Sequence, residues 1–166
     1  MPHASKNKIA LAPNKRNQVW LFVACTIIFF AVLTISQLFG KLDRRQQLPT
    51  RNVTLDGRVL QAQIADDEQE RTKGLSDRNS LADGQAFILS FQKKTPGGIW
   101  MKDMRFPIDV LWVTADGKVV GLVRNISPSS YPNVYYSSIP VNSVVELPAG
   151  YIDTHKIRIG SMLRFQ

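Results

Sequence analysis

Two carboxylates stand where a carboxylate is costly. Asp109 lies between Pro107-Ile108 and Val110-Leu111, and Glu146 sits in the run Val144-Val145-Glu146-Leu147. An acid in such company must reach water, find a hydrogen-bond partner, or bear a large desolvation cost. Just upstream, Trp100-Met101-Lys102-Asp103-Met104-Arg105 interleaves aromatic, sulfur and charged side chains. Three kinds of chemistry fit these types. In the plainest, Asp109 pins a turn through backbone amides or pairs with Lys102 or Arg71. Glu146 then pairs with an arginine, and Arg71 is the natural candidate because a guanidinium fork matches a carboxylate. In the second, Asp109 shares a cleft with Trp100 and Lys102 and orients a polar ligand. In the third, Asp109 and Glu146 divide acid and base roles, which requires environments that separate their pKa values. The candidate binding set is therefore Arg71, Trp100, Met101, Lys102, Asp109 and Glu146; no catalytic residue is assigned.

The rest of the sequence narrows the chemistry further. It contains no Walker loop, no G-x-G-x-x-G, no H-E-x-x-H and no C-x-x-C. Its histidines are His3 and His155, so a triad or a histidine metal site would rest on His155 alone, which reads as a surface loop residue. The single cysteine, Cys25, lies in an apolar run, which rules out an intrachain disulfide. Neither a metal nor a cofactor is expected. The formal charge of +8 first suggests nucleic acid, but its distribution does not. Residues 1–49 carry seven Lys/Arg against one acid, whereas residues 50–166 carry fourteen against twelve. The excess flanks the apolar segment, where orientation signals and anionic headgroups call for it. Nucleic acid is not an expected partner.

The elements that must position these residues are mostly strands. Val53 to Leu55, Asp56-Gly57 and Arg58 to Ile64 predict a hairpin, since Asp-Gly supplies positive φ angles. Ala86 to Phe91 predicts a strand. Ile108 to Val113, Asp116-Gly117 and Lys118 to Ile126 predict a second hairpin, and Ser143 to Leu147 and Ile157 to Phe165 the closing strands. In the Ile108 strand, alternation would put Asp109 with Leu111 on one face and Ile108, Val110 and Trp112 on the other. One helix is predicted, capped by Asp66 with Gln69 completing a capping box, and ended by Gly74 in the left-handed conformation. The expected fold is mainly β, with α+β as an alternative: a small, compact barrel-like domain with one short helix, the barrel removing exposed edges.

Ahead of it, Trp20 to Phe39 holds no charged residue. Twenty residues at ~1.5 Å rise span ~30 Å, the thickness of a bilayer core. The run exceeds a signal-peptide core, and Thr34-Ile35-Ser36 makes a poor cleavage site. The chain thus divides into a basic cytoplasmic tail (1–18), a transmembrane signal anchor in the bilayer (19–40), a juxtamembrane linker (41–51) and an extracytoplasmic domain (52–166). The expected location is the cell membrane, single-pass, with the N-terminus cytoplasmic.

Glu70-Arg71-Thr72-Lys73-Gly74-Leu75, Trp100-Met101-Lys102 with Pro107 and Asp109, and Val145-Glu146-Leu147-Pro148-Ala149-Gly150 occur in an order and spacing that resembles the domain of unknown function 192 family. Asp116-Gly117 falls where that family has its hairpin. Ser76, Gln85-Ala86, Ser161 and Asp103-Met104 depart from the family's usual residues. The resemblance implies a mostly β domain, often exported or membrane-attached, and carries no established activity. Three functions stay open: a non-catalytic module for a small polar ligand or peptide, an envelope adaptor presenting Tyr131, Tyr135 and Tyr136 to a protein, and a hydrolase using Asp109 and Glu146.

Overall fold

The structure is a computed structural model, and it describes residues 26–37 and 48–166. Residues 26–37 form a helix, α1, whose side chains, among them Ile27, Phe29 and Phe30, are exposed. The predicted tail, the ends of the predicted span, Cys25 and most of the linker lie outside the described residues. Among the described residues no helix is long and apolar enough to cross a membrane.

Residues 48–166 form a compact unit of their own. The predicted first hairpin is present as β1 (Thr50–Leu55) and β2 (Arg58–Ala65), antiparallel around Asp56 and Gly57, both at positive φ. Helix α2 (Glu68–Lys73) then carries the chain to β3 (Gln85–Thr95), which lies parallel to β2. A parallel pair needs such a crossover. The cap of α2 is Asp67 rather than Asp66. Its carboxylate accepts from the Glu70 amide at 2.7 Å, and the Glu70 carboxylate accepts in return from the amides of Asp66 and Asp67. The box is thus Asp67–Glu70, one residue later than predicted. Gly74 ends the helix at φ 49 and ψ −132, a positive φ outside the left-handed helical region. Asp67→Ala removes an exposed cap and should cost about 1 kcal/mol; chemical denaturation measures it.

The sheet continues through β5 (Ile108–Val113), β6 (Val119–Ile126), β8 (Val141–Pro148) and β9 (Leu163–Phe165), in the order β6-β5-β8-β3-β2-β1-β9. It is mainly β, and it curls into a half-barrel. The edge strands approach at one end only: Val119 donates to the Ser161 carbonyl at 2.9 Å, Gly160 to the Val119 carbonyl at 2.8 Å, and Leu163 to the Gly117 carbonyl at 2.8 Å. Gly117 makes that approach possible. A Cβ there would stand 2.1 Å from the Leu163 carbonyl oxygen, and its φ is +84°. Three segments differ from prediction. The last strand is short because residues 155–160 are taken up by turns, with Lys156 and Gly160 at positive φ. A second helix in this unit, α3 (Tyr151–Thr154), precedes those turns. A two-stranded ribbon of β4 (Ile99–Trp100) and β7 (Val134–Tyr135) stands apart from the main sheet.

The curl separates two apolar cores. One face gathers Val53, Leu55, Ile88, Leu111, Val145 and Leu163 with Ile152 of α3. The opposite face gathers Phe87, Leu89, Val110, Trp112 and Val144 with Leu75, Ile99 and Met101 from the segments that cover it. The predicted alternation in β5 holds, with Ile108, Val110 and Trp112 on one face and Leu111 on the other.

Candidate functional site

Strand pairing fixes which way each embedded acid points, because directly paired residues share a face. Asp109 pairs with Leu147, a residue of the core that includes Ile152 of α3. Glu146 pairs with Val110 on one side and Phe87 on the other, both of the opposite core. The two carboxylates therefore lie on opposite faces of the sheet. An acid–base pair made from them has no common substrate position.

Asp109 is fully buried and fully occupied. One oxygen accepts from the Asn125 amide at 2.7 Å, the other from the Ile152 amide at 2.8 Å. Asn125 sits at φ 49, where the register of β5 and β6 shifts. Ile152 lies in the first turn of α3, whose own cap residue, Gly150, has no side chain to offer. Asp109 thus caps a helix from 43 residues away and ties it to a bulge. These are the backbone-amide contacts of the turn-pinning reading, one of those open in the sequence, and they engage both oxygens of Asp109.

Glu146 is the opposite case. It is 6% exposed, and its Oε2 atom has no hydrogen-bond partner among the described residues. Burial pushes its carboxyl from 4.5 to about 8, the nearby Arg78 guanidinium only partly opposing the shift. At pH 7 it is mostly the neutral acid, able to donate as well as accept. Arg78, which the sequence reading missed, follows α2. It donates to the Gln63 carboxamide oxygen at 2.6 Å and rides over Phe87 at 5.2 Å. Desolvation pulls its own guanidinium below the ordinary value, the Glu146 carboxylate opposing. Gln63, Phe87 and Glu146 stand in one cross-strand row, so Arg78 roofs that row from the turn. No hydrophobic pattern announces a side chain that docks by amphipathic stacking.

Arg71 does not pair with either acid. Its Nη1 donates to the backbone carbonyls of Asp66 and of Ser90, the latter at 2.9 Å, and its guanidinium lies 5.2 Å from the Phe91 ring. The side chain locks α2 onto β3. Met101 is 1% exposed and belongs to the core. Trp100, its neighbour on the ribbon, is 45% exposed, with the Lys102 ammonium 5.9 Å from its ring and Tyr131 edge-on at 6.3 Å.

These residues meet in a small pocket of about 50 Å³ lined by Glu146, Arg71, Lys73, Trp100, Lys102 and neighbouring apolar groups. That is several times the ~10–15 Å³ that admits one water. The pocket adjoins an open cleft of about 580 Å³ between α2 and the segment after β4, which shares Thr72, Lys73, Ser76, Trp100 and Lys102 with it and adds Glu68, Asp77 and Asp103. The walls are sewn together locally. Ser76 donates to the Lys102 carbonyl at 3.0 Å, Asp77 to the Asp103 carbonyl at 3.1 Å, and Arg105 pairs with Asp77 at 3.6 Å. Of the six residues singled out from sequence, Arg71, Trp100, Lys102 and Glu146 come together, Met101 supports them from the core, and Asp109 stands across the sheet. Among the described residues no cluster of three or more His, Cys, Asp or Glu could hold a metal ion.

Two solved structures resemble this architecture. A protein from Sinorhizobium meliloti 1021, described as a "putative transcription regulator", superposes with a TM-score of 0.68 at 28% identity, covering 72% of this chain and 95% of that one. A protein of unknown function from Novosphingobium aromaticivorans matches with a TM-score of 0.68 at 24% identity, covering 72% and 87%, and this likeness bears on the fold alone. No curated protein matches the chain. The family model for DUF192, described as an uncharacterized ACR, matches residues 51–165, and the chain belongs to that family.

Proposed function

We propose that this chain is a membrane-anchored binding module whose domain, outside the membrane, holds a small polar ligand or a peptide end in the cleft between α2 and Trp100. The observation that carries the reading is the unpartnered Oε2 of Glu146 at the pocket wall. A buried polar atom without a partner is costly unless a visiting group satisfies it. Around it stand a half-exposed tryptophan and cations, the usual furniture of a polar recognition site. The separation of Asp109 from Glu146 speaks against the hydrolase alternative. The apolar run from Trp20 to Phe39 supports the anchor, and the flanking basic residues support a cytoplasmic N-terminus. The near-balanced charge of residues 50–166 speaks against nucleic acid, whatever the name of the Sinorhizobium relative suggests of that protein.

Native mass spectrometry of the purified chain tests this. A co-purifying small mass is expected in the wild type. Trp100→Ala should weaken its retention about tenfold, the order of one lost aromatic contact, without unfolding a domain in which Trp100 is half exposed. A bare mass in both would favour the adaptor reading instead. That reading has its own support in the exposed aromatic and aliphatic side chains of Trp100, Tyr131, Tyr136 and Ile139.

A further inference from the structure

We propose, resting on the binding-module reading, that the inner pocket beside Glu146 receives a carboxylate group. The occupant must satisfy the unpartnered Glu146 oxygen and suit the charges around it. Those charges come from every covering element. Arg71 and Lys73 project from α2, Arg78 roofs the row from the following turn, and Lys102 stands on the segment after β4. The strands that flank Glu146 face it with Phe87 and Val110, which carry no charge. Among the described residues Glu146 is the one acid lining the pocket.

A cationic ligand group would enter against these cations with one carboxyl in its favour. An anionic group is attracted by the cations and needs only that the single acid be protonated. Burial supplies that condition at neutral pH. A neutral carboxyl buried in apolar surroundings can then donate a short, charge-assisted hydrogen bond to an anionic oxygen. Space sets the size: about 50 Å³ takes a carboxyl head and little more. The rest of the ligand lies in the outer cleft, beside Trp100, where Glu68, Asp77 and Asp103 balance the lysines.

Two sources share this chemistry, a free small acid and the C-terminus of a peptide, and calorimetric titration of the whole chain separates them. The probes are sodium propionate, N-acetylalanine, N-acetylalaninamide and ethylammonium chloride, at pH 7 and pH 9.5. One or other of the two carboxylates should bind, and the amide and the cation should not. Propionate alone binding identifies a free acid as the ligand type, and N-acetylalanine alone a peptide end. Affinity should fall about thirtyfold between the two pH values, because only a small fraction of Glu146 stays neutral at pH 9.5 with its pKa about 8. Glu146→Gln keeps a neutral donor and should bind with that pH dependence removed. Lys102→Met, at the half-open rim, should weaken carboxylate binding with the circular dichroism spectrum unchanged. Ethylammonium binding in place of the carboxylates would overturn the inference and leave the binding module standing. No binding by any probe, with no co-purifying mass, would overturn both.

Discussion

Asp109→Ala should destabilise the domain by about 3–5 kcal/mol, the largest loss expected from any polar substitution in it. The carboxylate is fully buried and accepts from two backbone amides, those of Asn125 and Ile152. Truncation leaves both donors without their acceptor, and each orphaned buried group costs about 1–3 kcal/mol. The loss of a cap on α3 is included in that figure, since Ile152 is the capped amide. Asp109→Asn should recover part of it, because one oxygen can still accept while the new amide group meets a donor. Urea denaturation followed by tryptophan fluorescence reads both variants. The pocket beside Glu146 lies across the sheet, so ligand retention at low denaturant should be unchanged in Asp109→Asn. A loss of binding without a loss of stability would place Asp109 in the site.

The legible parts of this fold are those encoded locally. Asp56-Gly57 dictates its hairpin because the turn needs two positive φ angles side by side, and both residues adopt them. The β5 alternation is legible because period two is a property of the strand itself. The helix after β2 is legible too, but Asp66 and Asp67 are adjacent acids of equal capping ability, and only the reach of Glu70 back to their amides selects Asp67. The illegible parts depend on partners far off in sequence. Helix α3 has no local start signal, since Gly150 offers no side chain and Asp109 supplies the cap from another strand. The β4–β7 ribbon has two residues a side, too few to show a period. In the site, Asp109 and Glu146 stood out as acids in apolar runs and Trp100 and Lys102 as an aromatic–cation mixture, and of these Trp100, Lys102 and Glu146 line one pocket. Arg71 was legible as a residue that reaches the sheet, though its partners are carbonyls and a ring rather than an acid. Arg78 was not, because the groups that hold it, Gln63 and Phe87, belong to two different strands.

Between pH 4.5 and 8 the domain should lose stability as the pH rises, by about 4–5 kcal/mol in total, and Glu146→Gln should abolish the slope. The sign follows from proton binding. Burial raises the folded-state pKa of Glu146 from 4.5 to about 8, so in this window the native state holds a proton that the unfolded chain has released. Stability then falls with pH by up to about 1.4 kcal/mol per unit, and it levels off above the folded pKa, where both states are ionised. At pH 7 the wild type has already lost about 3 kcal/mol through this group. Glu146→Gln has nearly the same shape and no ionisation, so at pH 7 it should be the more stable protein by about 2–3 kcal/mol, part of the gain being offset by burying an amide. Urea titrations of both proteins at pH 5, 7 and 9 measure the effect. Equal slopes in the two would mean that Glu146 finds in solution a partner for its charge. A group that lowers stability at the working pH, where a near-isosteric amide would raise it, favours the proposed binding role of Glu146 at the pocket wall.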